Sequence, residues 1–455
     1  MKKIVVFIAG CITLLSLTSC LGSNDSATYV IRDAQIASFT LKNDSVAGLA
    51  NVKFTIDQLN GQIFNLDSMP YGTKLENAVC TLEYVMGVAG IQAMQEATGD
   101  TIWWNGTDSL NFSKPVKFVT TAYDLVTTKT YFAQVNIHQV QPDTMIWEKY
   151  AGQLIGQAVE EQKVAVCHYN DQATYFMYVK STAPGKGYEL YSSPVTDAKT
   201  WTALPLTGLP ASDMRISQFT EYEGFYYMPS SAGALYTSGN GRDWQLVENA
   251  PVVRSLLGVV DAGVKQSSVL SVVAEQEDGT LRFAGMDKGM QWTYGDAVPA
   301  GFPLSGFGSI RYHSMYHEYL MVVAGLNAAL QPTNHTWATA NATNWVLLTN
   351  PDIEFFEKKE GVMLTRYDEK FYLIGGINAA GEASKEILFS IDNGVSWAPI
   401  DSMVVLPEEY KARGYASVHV DQDNYMLIFG GKTSQQAQPL DELWRGRINR
   451  LGFKK

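Results

Sequence analysis

The chain has 455 residues, 46% of them apolar and 12% aromatic. That is more than one ordinary core needs, so two domains are the natural division, although a propeller alone takes up about 300 residues as one ring. Only 18% of residues are charged, the formal net charge is −12, and no basic tract offsets it, so nucleic acid is not an expected partner.

Lys2 and Lys3 precede an apolar stretch from Ile4 to Leu17, too short to span a bilayer but the length of a signal-peptide core. It ends in Leu17-Thr18-Ser19-Cys20, which looks like a bacterial lipobox. The expectation is a signal peptide over 1–19 and a lipid anchor on Cys20. Several acyl chains would hold the protein firmly to a membrane where one alone is marginal. Residues 20–29 are short and polar, with Gly22, Ser23, Asn24 and Asp25, and read as a flexible tether. Cys11 leaves with the signal, while Cys80 and Cys167 sit in apolar strand sequence. Both read as small buried hydrophobes, and nothing in the sequence requires a disulfide between them.

From residue 30 to 141 strand signals follow at short intervals. Val52, Phe54 and Ile56 alternate, Asn60-Gly61 supplies a hairpin turn, and Val116, Phe118 and Thr120 alternate before Tyr131, Ala133, Val135 and Ile137 do the same, as half-buried strands require. A β-sandwich fits. The segment from Gly87 to Ala97 reads equally as a helical turn or a strand.

From 142 to 455 the chain repeats. Tryptophans at 147, 201, 244, 292, 345 and 397 recur roughly every fifty residues, each with strand-like sequence before it, the beat of stacked four-stranded blades. Phe371 to Gly376 and Tyr425 to Gly431 are apolar strands ending in paired glycines, and Tyr319 to Gly325 is a weaker copy. The pattern resembles the kelch repeat. Ser390-Ile391-Asp392-Asn393-Gly394-Val395-Ser396-Trp397 matches the Asp-box, with degenerate copies at Thr237 to Trp244 and Gly285 to Trp292. Blades with fourth strands at Trp201, Trp244, Trp292, Trp345 and Trp397 leave a last unit with three strands and Met145-Ile146-Trp147 unassigned. The prediction is that this early strand completes the last sheet and closes a six-bladed ring. The fold class is all-β.

With Cys20, the run Asp108 to Phe112, Lys114-Pro115-Val116, Tyr131 to Val140 and the blades, the chain resembles a family of Bacteroides-type lipoproteins that carry an amino-terminal immunoglobulin-like module before a kelch-like or sialidase-like propeller. The resemblance implies fold and an outer-membrane location, favouring the cell surface, and carries no activity over. Asp followed by Ser or Thr and a small or aliphatic residue places candidate O-glycosylation at Ser26, Ser45, Ser68, Thr101, Ser109 and Thr144, with a seventh match at Asp401-Ser402-Met403. Such dipeptides also form turns in β-rich domains.

Arg215, Arg254, Arg311 and Arg413 fall near the starts of the innermost strands and are the candidate ligand-binding residues; they could converge on one channel mouth, although they share no one offset from their glycine or tryptophan markers. Sialidase-like enzymes clamp a carboxylate with three arginines and use a tyrosine nucleophile beside a glutamate. Their Phe/Tyr-Arg-Ile-Pro opening is missing here, Met214-Arg215-Ile216-Ser217 being the nearest piece, and no tyrosine or glutamate can be singled out. His313 and His317 lie where a strand runs into a turn and would not share a face for a metal. Glu160-Glu161 and Glu408-Glu409 read as exposed acidic turns. No cofactor, metal site or catalytic residue is predicted. The expected role is recognition of a glycan or a protein by a lipid-anchored propeller; the alternatives are a sialidase-like glycoside hydrolase and a structural component of an outer-membrane assembly.

Overall fold

The computed structural model describes residues 30–211, 213–261, 267–315 and 317–450. The expected signal peptide, Cys20, the tether and Ser26 lie outside them. The described residues are all-β apart from two 3-10 turns and fall into two compact units, 30–141 and 142–450.

The first unit holds β1 (Ile36–Lys42), β2 (Phe54–Asp57), β3 (Gln62–Asn65), β4 (Val79–Tyr84), β5 (Gly90–Gln95), β6 (Thr101–Trp103), β7 (Val116–Thr121) and β8 (Thr128–Gln134). β1 pairs with β4, and the others form one sheet in the order β2-β3-β8-β7-β5-β6, antiparallel except for β3 beside β8. The segment left open by sequence, Gly87 to Ala97, contains β5. The alternation of β7 puts Val116, Phe118 and Thr120 inward. Val116 and Phe118 join a core around Phe39, Trp104, Phe112 and Tyr131, in which Phe39 meets Phe54 edge-on at 4.9 Å. Cys80 lies in this core, where burial pushes its thiol up to about 12. The β2–β3 hairpin turns through Asn60-Gly61, and Gly61 has φ +63°, where a Cβ would strike the Thr130 carbonyl oxygen.

The strands of the second unit lie in six sheets among the described residues. The first strand of each, its inner strand, lines a common cavity: Val159–Tyr169, Thr220–Tyr222, Val252–Val260, Gly308–Ser314, Met363–Tyr367 and Ser417–Val420. The fourth strands of the first five sheets, Thr202–Leu204, Gln245–Leu246, Trp292–Ala297, Val346–Leu347 and Ala398–Pro399, start at or just after the recurrent tryptophans. The last sheet runs Ser417–Val420, Met426–Phe429, Leu443–Ile448 and then β9 (Met145–Ala151), which pairs antiparallel with Ile146 opposite Arg447 and Trp147 opposite Gly446.

The second strand of each sheet is buried on both faces over most of its length, so its sequence reads as an unbroken apolar run. Successive sheets share apolar clusters. Phe176 and Tyr178 of the first meet Tyr226 and Met228 of the second; Tyr227 and Leu235 meet Val253 and Val272; Val273 and Phe283 meet Leu320 and Val322. Met321 and Val323 meet Phe371 and Leu373, and Tyr372 and Ile374 meet Met426 and Ile428. Leu427 and Phe429 of the sixth sheet then pack on Val164 and Tyr175 of the first.

The tryptophan turns are built from side-chain caps. Asp392 accepts from the Ser396 amide at 3.0 Å and the Ser390 hydroxyl at 2.7 Å. In two other sheets asparagine does this work one position later than the sequence register implied. Asn240 accepts from the Arg242 and Asp243 amides and Asn341 from the Thr343 and Asn344 amides. There the indoles of Trp244 and Trp345 donate to the carbonyls of Gly241 and Ala342, as Trp201 does to Ala198.

Candidate functional site

The inner strands begin around a cavity of about 530 Å³. Its wall is assembled from the lead-in to one inner strand after another: Glu161 and Lys163 at the start of the first, Arg215 to Gln218 before the second, Gly306 and Phe307 before the fourth, Glu360 to Val362 before the fifth, Tyr415 before the sixth. A second cavity of about 370 Å³ shares Lys163, Ser217, Gln218, Phe307, Val362 and Ala416 with it and continues along the strands to Glu221 and Arg311.

Lys163 has no hydrogen-bond or ion-pair partner among the described residues, and burial lowers the pKa of its ammonium. A cation held without a counter-charge beside a cavity favours an anionic guest. Arg215 lines the same cavity, donates to the Arg254 carbonyl, and is pulled down by burial and by the charge of Arg254. Lys432 completes the cations. Opposing them, Glu161 is pushed up by burial, with Lys180 and Lys432 working against the shift.

Glu360 and Tyr415 form the other half of the wall. The Tyr415 hydroxyl donates to Glu360 Oε2 and the Gln435 amide donates to Oε1. Tyr415 has φ 58°, a strained conformation for an aromatic residue. It is held there by its amide, which donates to the Gly361 carbonyl at 2.6 Å. The ring lies so close over Gly361 that a Cβ there would come within 2.5 Å of Tyr415 Cδ2. Burial, and then the Glu360 carboxylate, push the phenol well above its ordinary value.

The four arginines do not converge. Only Arg215 lines the first cavity. Arg254 pairs with Glu275, Arg311 lies on the second cavity and pairs with Asp261 at 2.8 Å, and Arg413 is wholly buried. Its guanidinium donates to the Lys411 and Gly430 carbonyls and to Glu442. Arg413 precedes an inner strand, but its donors are spent inside the loops. Glu161 corrects a second expectation. It lies in a strand and lines the cavity, whereas Glu160 is exposed and pairs with Lys180.

Among the glycosylation candidates Ser45, Thr101 and Ser109 are exposed and Ser68 is partly so. Thr144 is half-buried, with its hydroxyl oxygen shielded from solvent. His313 bonds Glu318 at 2.8 Å, and no cluster of three metal-ligating side chains occurs among the described residues.

Sequence reasoning missed Lys163, Glu360, Tyr415 and Gln435. The available signal was charge inside an inner strand, Glu160-Glu161-Gln162-Lys163 running straight into Val164-Ala165-Val166.

Residues 27–135 match the family described as the DUF6242 N-terminal domain, a domain of unknown function, and residues 141–455 match the DUF6242 beta propeller domain. No curated protein matches the chain. A solved structure titled "Structure of YjhT" is similar at 14% identity and a TM-score of 0.44, over 65% of this chain and 96% of that one.

Proposed function

The chain belongs to the DUF6242 family through both of its units, and from that premise we propose that it is a lipid-anchored envelope protein whose propeller binds an acidic glycan at the central cavity. The carrying observation is unpaired Lys163 in a cavity that also presents Arg215, Lys432, Glu161, Glu360 and Gln435. Cations hold an anionic group; carboxylates and amides accept and donate to ring hydroxyls. In this reading the six sheets are the blades of one ring. Support comes from the apolar clusters that join each sheet to the next and the sixth to the first. The first unit acts as an immunoglobulin-like spacer, and Cys20 carries the lipid at the outer membrane, on the cell surface.

A glycan array probed with the full chain tests the recognition. Retention of uronate- or sialate-bearing glycans that is lost in Lys163→Met and Arg215→Ala supports it. Retention of no glycan, with a protein partner recovered by crosslinking in cells, replaces it with the assembly role. Mass spectrometry of the Cys20 peptide tests the anchor.

A second reading is a sialidase-like hydrolase, favoured by the hydrogen-bonded Tyr415 and Glu360 on the cavity wall. The dispersal of the four arginines counts against it. Turnover of a fluorogenic sialoside that vanishes in Tyr415→Phe would establish it.

A further inference from the structure

We infer that the loops at the chain-entry end of the first unit form a lipid-facing collar that sits in the interface of the membrane carrying the anchor. The inference rests on the proposed acylation of Cys20.

Three segments meet at this end. The entering chain, residues 31–35, lies beside Met86 and the start of β8, Thr127 to Lys129, around a shallow recess. The loop after β4 is tied to the entry by the Val85 amide, which donates to the Gln35 carbonyl at 3.1 Å. The β7–β8 loop is tied to it by Arg32 facing Asp124 at 3.9 Å, and to the β4–β5 loop by the Tyr123 ring, which lies over Gly87. β8 then carries the chain away from this end.

The tips of these loops are apolar and bare. Val126 is 82% exposed and Leu125 74%, with Val85, Met86 and Tyr123 each about half exposed. Scattered exposed apolar residues need no explanation, but five on two adjoining loops at one end do. The loop's own architecture puts Leu125 and Val126 outward. Asp124 Oδ1 accepts from the Val126 and Thr127 amides at 3.0 and 2.8 Å, and Leu125 takes φ 60°, so the two side chains crown a closed turn. A rigid turn loses little entropy on insertion.

The chain length names the occupant. Nine residues lie between Cys20 and Val30, at most about 35 Å of extended chain. A bilayer holding Cys20 therefore stays within a short leash of the collar, and the local concentration of lipid is high whatever the intrinsic affinity. Side chains of this kind, with a tyrosine among them and Arg32 exposed beside them, match an interface where apolar groups enter about 5–10 Å and a cation meets phosphate.

The test uses the full lipidated protein reconstituted into phosphatidylethanolamine–phosphatidylglycerol vesicles. Cys80 and Cys167 are buried, so an introduced Val126→Cys takes an environment-sensitive fluorophore selectively. Leu330→Cys, on an exposed hairpin of the second unit, is the control. A blue shift and quenching by nitroxide-labelled lipid at position 126, absent at 330 and reduced when Met86 and Leu125 are both changed to Ser, supports the collar. Protein that floats with the vesicles while position 126 stays in water overturns it and leaves the anchor standing. Shifts of equal size at both positions also overturn it. An unacylated Cys20 peptide and failure to float remove the anchor, and the collar with it.

Discussion

Arg413 and Glu442 are joined within the loops of the last sheet, Arg413 Nη2 donating to Glu442 Oε1 at 2.6 Å with the guanidinium shielded from solvent. The guanidinium also lies 4.0 Å over the Tyr410 ring. Removing Arg413 leaves Glu442 its bonds from Lys149 and Trp444 but strips the Lys411 carbonyl and the buried Gly430 carbonyl of their donor, a loss of about 1–3 kcal/mol. Arg413→Met is therefore expected to lower the urea midpoint of the second unit far more than Arg311→Met, whose pair with Asp261 is half exposed. Equal, small effects would mean that Arg413 is not held as described.

Acid should weaken the second unit in two separable steps. Burial, reinforced by the charge of Lys163 and only partly countered by the bond to the Val164 carbonyl, lowers His419 to about 4. The unfolded chain takes up that proton near 6.5. Stability is thus full above pH 6.5, falls between 6.5 and 4, and gains no further loss from this group below. For Glu442, burial works upward, but hydrogen bonds from Lys149, Arg413 and Trp444 prevail and hold it at about 2. Its contribution is present above about 4.5 and lost as pH falls toward 2. Urea midpoints against pH should lose the upper step in His419→Phe and the lower step in Glu442→Gln.

The asparagine turns predict a contrast within one position. Asn341→Ala leaves the Thr343 and Asn344 amides without their acceptor and should cost about 1–2 kcal/mol. Asn341→Asp keeps the acceptor and should stay within about 0.5 kcal/mol of the parent at neutral pH. Thermal unfolding followed by tryptophan fluorescence reads both.

What could be read from the sequence divides along physical lines. Trp201, Trp244 and Trp397 marked their fourth strands because an indole wedged between sheets and a capped turn are both local in sequence. Ile146 could be paired by elimination, since a three-stranded remainder leaves an open edge. The cavity was not legible in this way. Glu360 and Tyr415 are 55 residues apart and meet only because Gly361 leaves room for a ring held at positive φ. Arg413 and Arg215 look alike in sequence, and only packing decides that one guanidinium is closed off among carbonyls and Glu442 while the other lines the cavity.

The joint between the two ends of the second unit gives a last prediction. Gly446 pairs with Trp147 across the final two strands, and the indole covers the glycine so closely that a Cβ would lie 2.4 Å from Trp147 Cε3. Trp147 is itself fixed, its Nε1 donating to the Val404 carbonyl at 3.1 Å. Gly446→Val must push the indole aside, breaking that bond and loosening β9, at a cost of about 1–3 kcal/mol. Hydrogen exchange should quicken across 145–151 well before the other strands of the sheet. Trp147→Ala removes the clash as well as the packing, so valine at 446 should cost markedly less in the double variant than in the parent, a coupling that adjacent pairs show and distant ones do not. Strictly additive losses would mean that Trp147 does not lie on Gly446, and that the first strand of this unit does not complete its last sheet.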